Sequence, residues 1–191
     1  MSTTAIIEQE FLNKNFSGKK LPSGEYDNCT FANCDFTEAD IAVVTFLECT
    51  FRDCNFTKVL MKQASFRDHC VFEGCKLVGV HFGNCDDFMF SVEFRDCIME
   101  YASFYDFAIK NIVFKDCKLV GVDFTEATIT GSVFKNCDLT NAVFEQTNAE
   151  KVDFRTAFGF NIDPSKNLLK KAAFSKEGLI GLLRKYDLII E

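Results

Sequence analysis

The sequence reads Phe31-Ala-Asn-Cys34, and the same four-residue phrase returns as FRDC at 51–54, FEGC at 72–75, FRDC at 94–97, FKDC at 114–117, FKNC at 134–137 and, degenerate, FRTA at 154–157. Successive phenylalanines lie 20, 21, 22, 20, 20 and 20 residues apart. A period this regular makes each unit a module that stacks on its neighbours, so the repeat decides the fold before any local propensity does.

A finer beat of five runs inside each unit. Calling the large apolar residue position i, steps of five from Phe16 meet Leu21, Tyr26, Phe31, Phe36, Ile41, Phe46, Phe51, Phe56, Met61 and Phe66 without a polar residue. One extra residue before Phe72 and two more before Phe94 reset the count, which then holds from Met99 to Phe154. Position i−2 is nearly always small or β-branched, as at Ala39, Val59, Ala102 and Val122, and all ten cysteines fall there.

A period of five fits neither the 3.6 of a helix nor the 2.0 of a strand. It fits a chain that turns a right angle every five residues, with i and i−2 pointing inward. Four such sides close a square coil, and stacked coils pair their backbones at the ~4.8 Å strand spacing. Like residues then stack, with phenylalanines from Phe31 to Phe154 on one side and Cys34, Cys54, Cys75, Cys97, Cys117 and Cys137 on the next. Such ladders are what coil-on-coil contact in a solenoid produces.

The expected organisation is an N-terminal cap over residues 1–15, a β-helix over 16–158, and a C-terminal cap and dimerisation segment over 159–191. Ile6, Ile7 and Phe11 would cover the open end of the first coil, whose unpaired backbone invites edge-to-edge association; the alternative is a partly disordered tail. At the other end, Asp163-Pro164 signals a turn and Ser175 suits a helix N-cap. Leu179, Ile180, Leu182, Leu183 and Tyr186 then form an apolar stripe on a short helix, with a strand expected at 188–190. A helix this short is marginal alone, so the stripe must cover the last coil, meet a second copy, or both.

The two register shifts, between Phe66 and Phe72 and between Asp87 and Phe94, are expected to be kinks with the apolar Phe88, Met89 and Phe90 folding inward; the alternative is an excursion near a binding surface. His69 and His81 read as surface residues. Ten cysteines at inward positions read as free thiols filling space, because ladder neighbours ~4.8 Å apart with parallel Cβ directions do not suit a disulfide, and C-x4-C misses the zinc spacing. No secretory signal or span of ~18 apolar residues is present in the chain as given, and a reducing cytoplasm is expected. No nucleophile elbow, P-loop, dinucleotide fingerprint or zincin motif occurs, so no enzyme and no cofactor or metal site is expected.

The net charge of −7 is uneven. Residues 21–160 hold 22 acids against 12 bases, a net of −10, whereas the first twenty residues carry +1 and the last thirty-one +2. An acidic rod disfavours direct nucleic-acid binding and leaves room for a basic partner that normally grips DNA.

The pattern resembles the pentapeptide-repeat family, (Ala/Ser/Thr/Val/Cys)-(Asp/Asn)-(Leu/Phe)-(Ser/Thr/Arg)-X, over about Phe16 to Phe154. The resemblance implies an all-β solenoid, a right-handed quadrilateral β-helix of about seven coils with a short C-terminal helix and strand. Some members mimic the width and charge of duplex DNA and occupy the DNA saddle of type II topoisomerases, inhibiting gyrase or protecting it from poisons. Lacking long loops, this chain is most similar to the loop-poor toxin-immunity and albicidin-resistance members, whose tails cap the rod and mediate dimerisation. The resemblance therefore implies a cytoplasmic, homodimeric, non-enzymatic DNA mimic acting on gyrase, with no membrane contact. Asp40, Asp106, Asp123, Glu126 and Glu145 share one expected side of the rod and are the candidate partner-binding acids. The alternative is a general interaction scaffold with another partner.

Overall fold

In the computed structural model, which describes residues 5–189, the chain turns a corner at nearly every fifth residue. The residue two after each inward i residue carries the turn in the left-handed region, with φ 52° at Asn33, 51° at Asp53, 64° at Gly74, 51° at Asp96, 55° at Asp116 and 53° at Asn136. Asn, Asp and Gly occupy that region at least cost. The third letter of the repeated phrase is therefore a backbone requirement.

The sides between corners form eleven short strands: β1 (Ala5–Ile7), β2 (Glu10–Leu12), β3 (Glu25–Asp27), β4 (Thr30–Ala32), β5 (Thr45–Leu47), β6 (Thr50–Arg52), β7 (Ser65–Arg67), β8 (Cys70–Glu73), β9 (Val92–Arg95), β10 (Val113–Lys115) and β11 (Val133–Lys135). All pair in parallel, in two sheets ordered β1-β3-β5-β7 and β2-β4-β6-β8-β9-β10-β11. Isolated parallel bridges such as Asp40↔Leu60 and Asp123↔Val143 tie the remaining sides. The result is an all-parallel β-solenoid of about seven coils, as the spacing requires.

The core is the predicted set of ladders. On one side nine rings stack from Phe11 through Phe31, Phe51, Phe72, Phe94, Phe114, Phe134 and Phe154 to Phe174, with centroids 4.6–5.3 Å apart and planes within 23°. Beside them each ladder cysteine donates its thiol to the carbonyl of the phenylalanine one coil earlier, Cys34 to Phe11 at 3.2 Å and Cys54 to Phe31 at 3.3 Å. The pattern continues to Cys137 on Phe114. Ser132 and Thr147 do the same with hydroxyls, on Ile109 and Phe124. Position i−2 is small because it must fit between coils, and its frequent thiol or hydroxyl satisfies an inward carbonyl. All ten cysteines are free and nine are buried. Burial pushes the Cys49 and Cys85 thiols up, and Cys70 up to about 12.

The sheets reach beyond residues 16–158 at both ends. Of the segment expected as a cap, residues 1–4 lie outside the described residues, while 5–12 form β1 and β2 and add the Phe11 rung. Past Phe158, bridges Asn148↔Leu168 and Asp153↔Ala173 build a further partial coil that ends on Phe174.

The tail then turns through 3-10 residues Glu177–Leu179, α1 (Ile180–Leu183) and 3-10 residues Arg184–Tyr186. Ser175 caps it, its Oγ accepting from Gly178 N at 3.0 Å. Gly181 lies directly on Phe160, where a Cβ would sit 2.5 Å from the ring. The strand expected at 188–190 is not formed at Leu188 and Ile189, because no neighbouring strand is there to take their backbone groups; Ile190 lies outside the described residues. Among the described residues no helix is long and apolar enough to cross a membrane.

Candidate partner-binding face

The side of the rod whose inward residues are Leu21, Ile41, Met61, Phe82, Phe104, Phe124 and Phe144 is here named the Ile41 face. Its outward positions, one before, one after and two after each of these, carry all five candidate acids. Asp123 lies one coil above Ser103 and one below Val143, in bridged register. Asp106 and Glu126 occupy successive corners, with φ 48° and 60°. Adjacent coils hold these acids about 5 Å apart along the rod axis.

Asp106, Asp123 and Glu126 surround the exposed Tyr105. Glu126 first, then Asp106 and Asp123, hold the Tyr105 phenol above its usual range, since a phenolate there would face three carboxylates. Asp123 is also fixed locally, Oδ1 accepting from Thr125 N at 2.9 Å. This is the one concentrated acidic group on the face.

The other two candidates stand apart from it. Glu145 is one coil further on and is paired with Lys166 at 3.0 Å. Asp40 is separated from the group by Leu60 and His81, and faces Lys20 at 3.9 Å. The sequence places all five on one side correctly, but the structure gathers three, attaches a fourth and isolates the fifth.

The register shifts lie next to this face. After Phe66 the extra residue is taken up by two consecutive left-handed residues, Asp68 (φ 53°) and His69 (φ 67°). After Phe82 a 3-10 turn over Phe82–Asn84 opens an excursion, and the apolar run divides. Phe90 turns in to fill the place expected of Asp87, while Phe88 and Met89 stay 63% and 59% exposed. The expected inward folding of all three therefore holds for Phe90 alone, and Phe88 and Met89 form an outward excursion. Arg67 pins the excursion, bonding Asp86 at 2.7 Å and lying 5.3 Å from the Phe88 ring. Asp86 also accepts from Ser65 Oγ and Phe88 N. His69 and His81 are both exposed, as expected.

In the tail stripe, Leu182 packs against the core, whereas Leu179, Ile180, Leu183 and Tyr186 face outward. A cleft of about 400 Å³ separates the tail from the last coil, between Arg155, Phe158, Ile180 and Arg184. Among the described residues no group of three or more His, Cys, Asp or Glu could hold a metal ion.

Residues 26–68 match the family described as Pentapeptide repeats (9 copies), and residues 87–157 the one described as Pentapeptide repeat region. No curated protein matches the sequence. Among solved structures, a trypsin-treated variant of QnrB1, a plasmid-mediated fluoroquinolone resistance protein, is similar at TM-score 0.56 and 19% identity, covering 95% of this chain and 100% of that one. A second trypsin-treated QnrB1 variant gives 0.51 and 19% with 100% of both chains covered. HetL, a pentapeptide repeat protein involved in heterocyst differentiation regulation in the cyanobacterium Nostoc sp., is more distant, at 0.40 and 15% over 88% of this chain and 86% of that one. At 19% identity the likeness to the two QnrB1 structures is one of fold.

Proposed function

The chain belongs to the pentapeptide-repeat family, and from that premise we propose that it is a non-enzymatic DNA mimic, cytoplasmic, which binds a type II topoisomerase such as gyrase and modulates it or protects it from a toxin or quinolone-like drug. The observation that carries this reading is the acidic group Asp106, Asp123 and Glu126 on one side of a rod with a net charge of −10 over residues 21–160. Seven coils at ~4.8 Å extend for ~34 Å, so the net charge is about one per 3.4 Å, roughly half the density of duplex DNA. A saddle that takes duplex DNA by its charge has reason to accept such a surface. That QnrB1 is a fluoroquinolone resistance protein makes drug protection one of the effects to measure.

The same reading includes a homodimer through the tail. Leu179, Ile180, Leu183 and Tyr186 are the residues free to meet a second copy, Leu182 being turned onto the rod. At low micromolar protein, below the range of any weaker self-contact, Ile180→Asp with Leu183→Asp is expected to give monomers by sedimentation, and an unchanged dimer at that concentration removes this role.

The deciding experiment is a gyrase supercoiling assay with purified protein, with and without a gyrase poison. Inhibition or rescue, lost on joint reversal of Asp106, Asp123 and Glu126 to Lys and weakened by salt, supports the reading. No effect at tens of micromolar, about where weak specific binding shows, overturns it in favour of a scaffold for another partner.

A further inference from the structure

The Ile41 face sorts its charges by height. Its acidic group lies in the coils of Phe104 and Phe124. Two coils earlier, Lys58, Lys62, His81 and Asn84 border a shallow groove of about 480 Å³ floored by Val59, Leu60 and Met61. Among the described residues neither Lys58 nor Lys62 takes part in an ion pair. The face and its corner also carry exposed apolar side chains spread along the rod: Val43, Leu60, Tyr105 and Val143. The charges without an intramolecular ion-pair partner are thus basic in one half of the face and acidic in the other, Asp40 in the first half being taken up by Lys20, with apolar surface in both.

Equal pitch in the two halves makes the face complementary to itself. A second copy can be turned end over end about an axis lying in the plane of the face, level with the gap between the His81 and Ser103 coils. Lateral positions are then kept and heights reversed. Leu60, Lys62 and Gln63 come opposite Asp123, Thr125 and Glu126 of the second copy. His81, Gly83 and Asn84 come opposite Ser103, Tyr105 and Asp106 of the second copy, a missing side chain against a ring and an amide against a carboxylate. At the outer ends Asp40 and Glu145 approach, but each already has its own lysine, Lys20 and Lys166. Two-fold contacts of this kind are isologous and closed.

We propose that two copies of this chain associate antiparallel through the Ile41 face, with Lys62 of each copy meeting Asp123 and Glu126 of the other. The contact is one coil-side wide and smaller than the ~1,600 Å² of a standard interface. It therefore forms at roughly tens of micromolar and weakens with salt, since its charges remain near solvent. The inference rests on the charge order of the face and not on any topoisomerase role; a negative supercoiling assay leaves it standing.

The test is sedimentation velocity on the full chain carrying Ile180→Asp and Leu183→Asp, which removes the tail stripe from consideration. Dimers are expected at about 100 µM protein, with the dissociation constant rising roughly tenfold between low and 0.5 M salt. Lys62→Glu alone and Glu126→Lys alone should each abolish them. Both reversals in one chain restore the opposite signs across the contact and should restore the dimer. Both reversed sites are exposed, so circular dichroism should be unchanged. A monomer at every concentration, or a double reversal no better than the singles, overturns the proposal.

Discussion

Between Met99 and Ala157 the repeat never slips, whereas between Phe66 and Phe94 it slips twice; the two stretches differ in which ladders survive. In the regular stretch the rings of Phe104 and Phe124 lie 2° from parallel, those of Phe114 and Phe134 4°, and those of Phe134 and Phe154 5°. In the interrupted stretch the phenylalanine side continues unbroken through β6, β8 and β9, at the cost of a 23° tilt between Phe72 and Phe94. The sheet ending at β7 goes no further. There Phe90 meets Phe66 edge-on at 80°, and Phe107, a large residue at an i−2 position, packs edge-on against Phe90 at 5.0 Å. Inserted residues are absorbed on one side while the neighbouring side keeps its register. The unit of order in this rod is therefore the ladder, more than the coil.

If that is so, removing a ring should cost more where it stacks than where it only fills. Phe114 is fully buried between stacked neighbours Phe94 and Phe134; Phe114→Ala should destabilise by ~4–5 kcal/mol, the upper range for a buried aromatic, with stacking added to the cavity. Phe90 is 9% exposed and has no stacked partner, so Phe90→Ala should cost ~2–3 kcal/mol. Denaturant midpoints of the two variants decide it. Equal losses would mean that the ladder contributes nothing beyond burial.

The cysteines give the same comparison without a change in stability. Cys97 is buried in the regular ladder with its thiol on the Phe72 carbonyl, whereas Cys85 is half-buried in the excursion, against Met61 Sδ. Under native conditions Cys85 should react with a disulfide reagent about a hundredfold faster than the other nine thiols, because local opening of the excursion, where order is lowest, relieves the burial that raises its thiol pKa in the closed form. Cys85→Ser should remove that phase. A fast phase that persists would place the weak point elsewhere.

A smaller effect asks what holds the excursion down. Asp86 accepts from Ser65, Arg67 and the Phe88 N–H, so Asp86→Ala frees three donors at a partly exposed site, for about 1–2 kcal/mol. It should speed Cys85 labelling by roughly tenfold and leave the Cys97 rung protected. Acceleration of all ten thiols together would show that the two stretches unfold as one.

Much of this was legible in the chain because the repeat is self-checking: Phe31 to Phe154 and Cys34 to Cys137 predict one another's positions. The outer rungs were equally written, Phe11 twenty residues before Phe31 and Phe174 twenty after Phe154. They escape a reading by phrase because Phe11 is followed by Leu-Asn-Lys and Phe174 by Ser-Lys-Glu, without the cysteine. Inside the excursion the sequence is silent. Phe88, Met89 and Phe90 are all apolar, and which one turns in depends on the path set by Arg67 and Asp86. Counting fives places the candidate acids on one side, but it does not show that Leu60 and His81 part Asp40 from the rest.

The smallest expected effect separates rod from tail. The tail is tied to the rod by Lys185 on Asp163, alongside Ser165. The bond from Lys185, then that from Ser165, lower the Asp163 carboxyl to about 2, against ~3.9 in an unfolded chain. A depressed carboxylate stabilises the docked tail above the unfolded value, and that contribution disappears as pH falls through the folded one, so the window is pH 4 to 2. The site is solvent-exposed, and the shift should be seen as partial undocking and not as unfolding of the rod. The amide resonances of Gly178 and Gly181, which sit on Ser175 and Phe160, should move with a midpoint near pH 2 in the native protein and stay flat in Asp163→Asn. If they move identically in both, the tail is held by Gly181 on Phe160 alone, and rod and tail are one body.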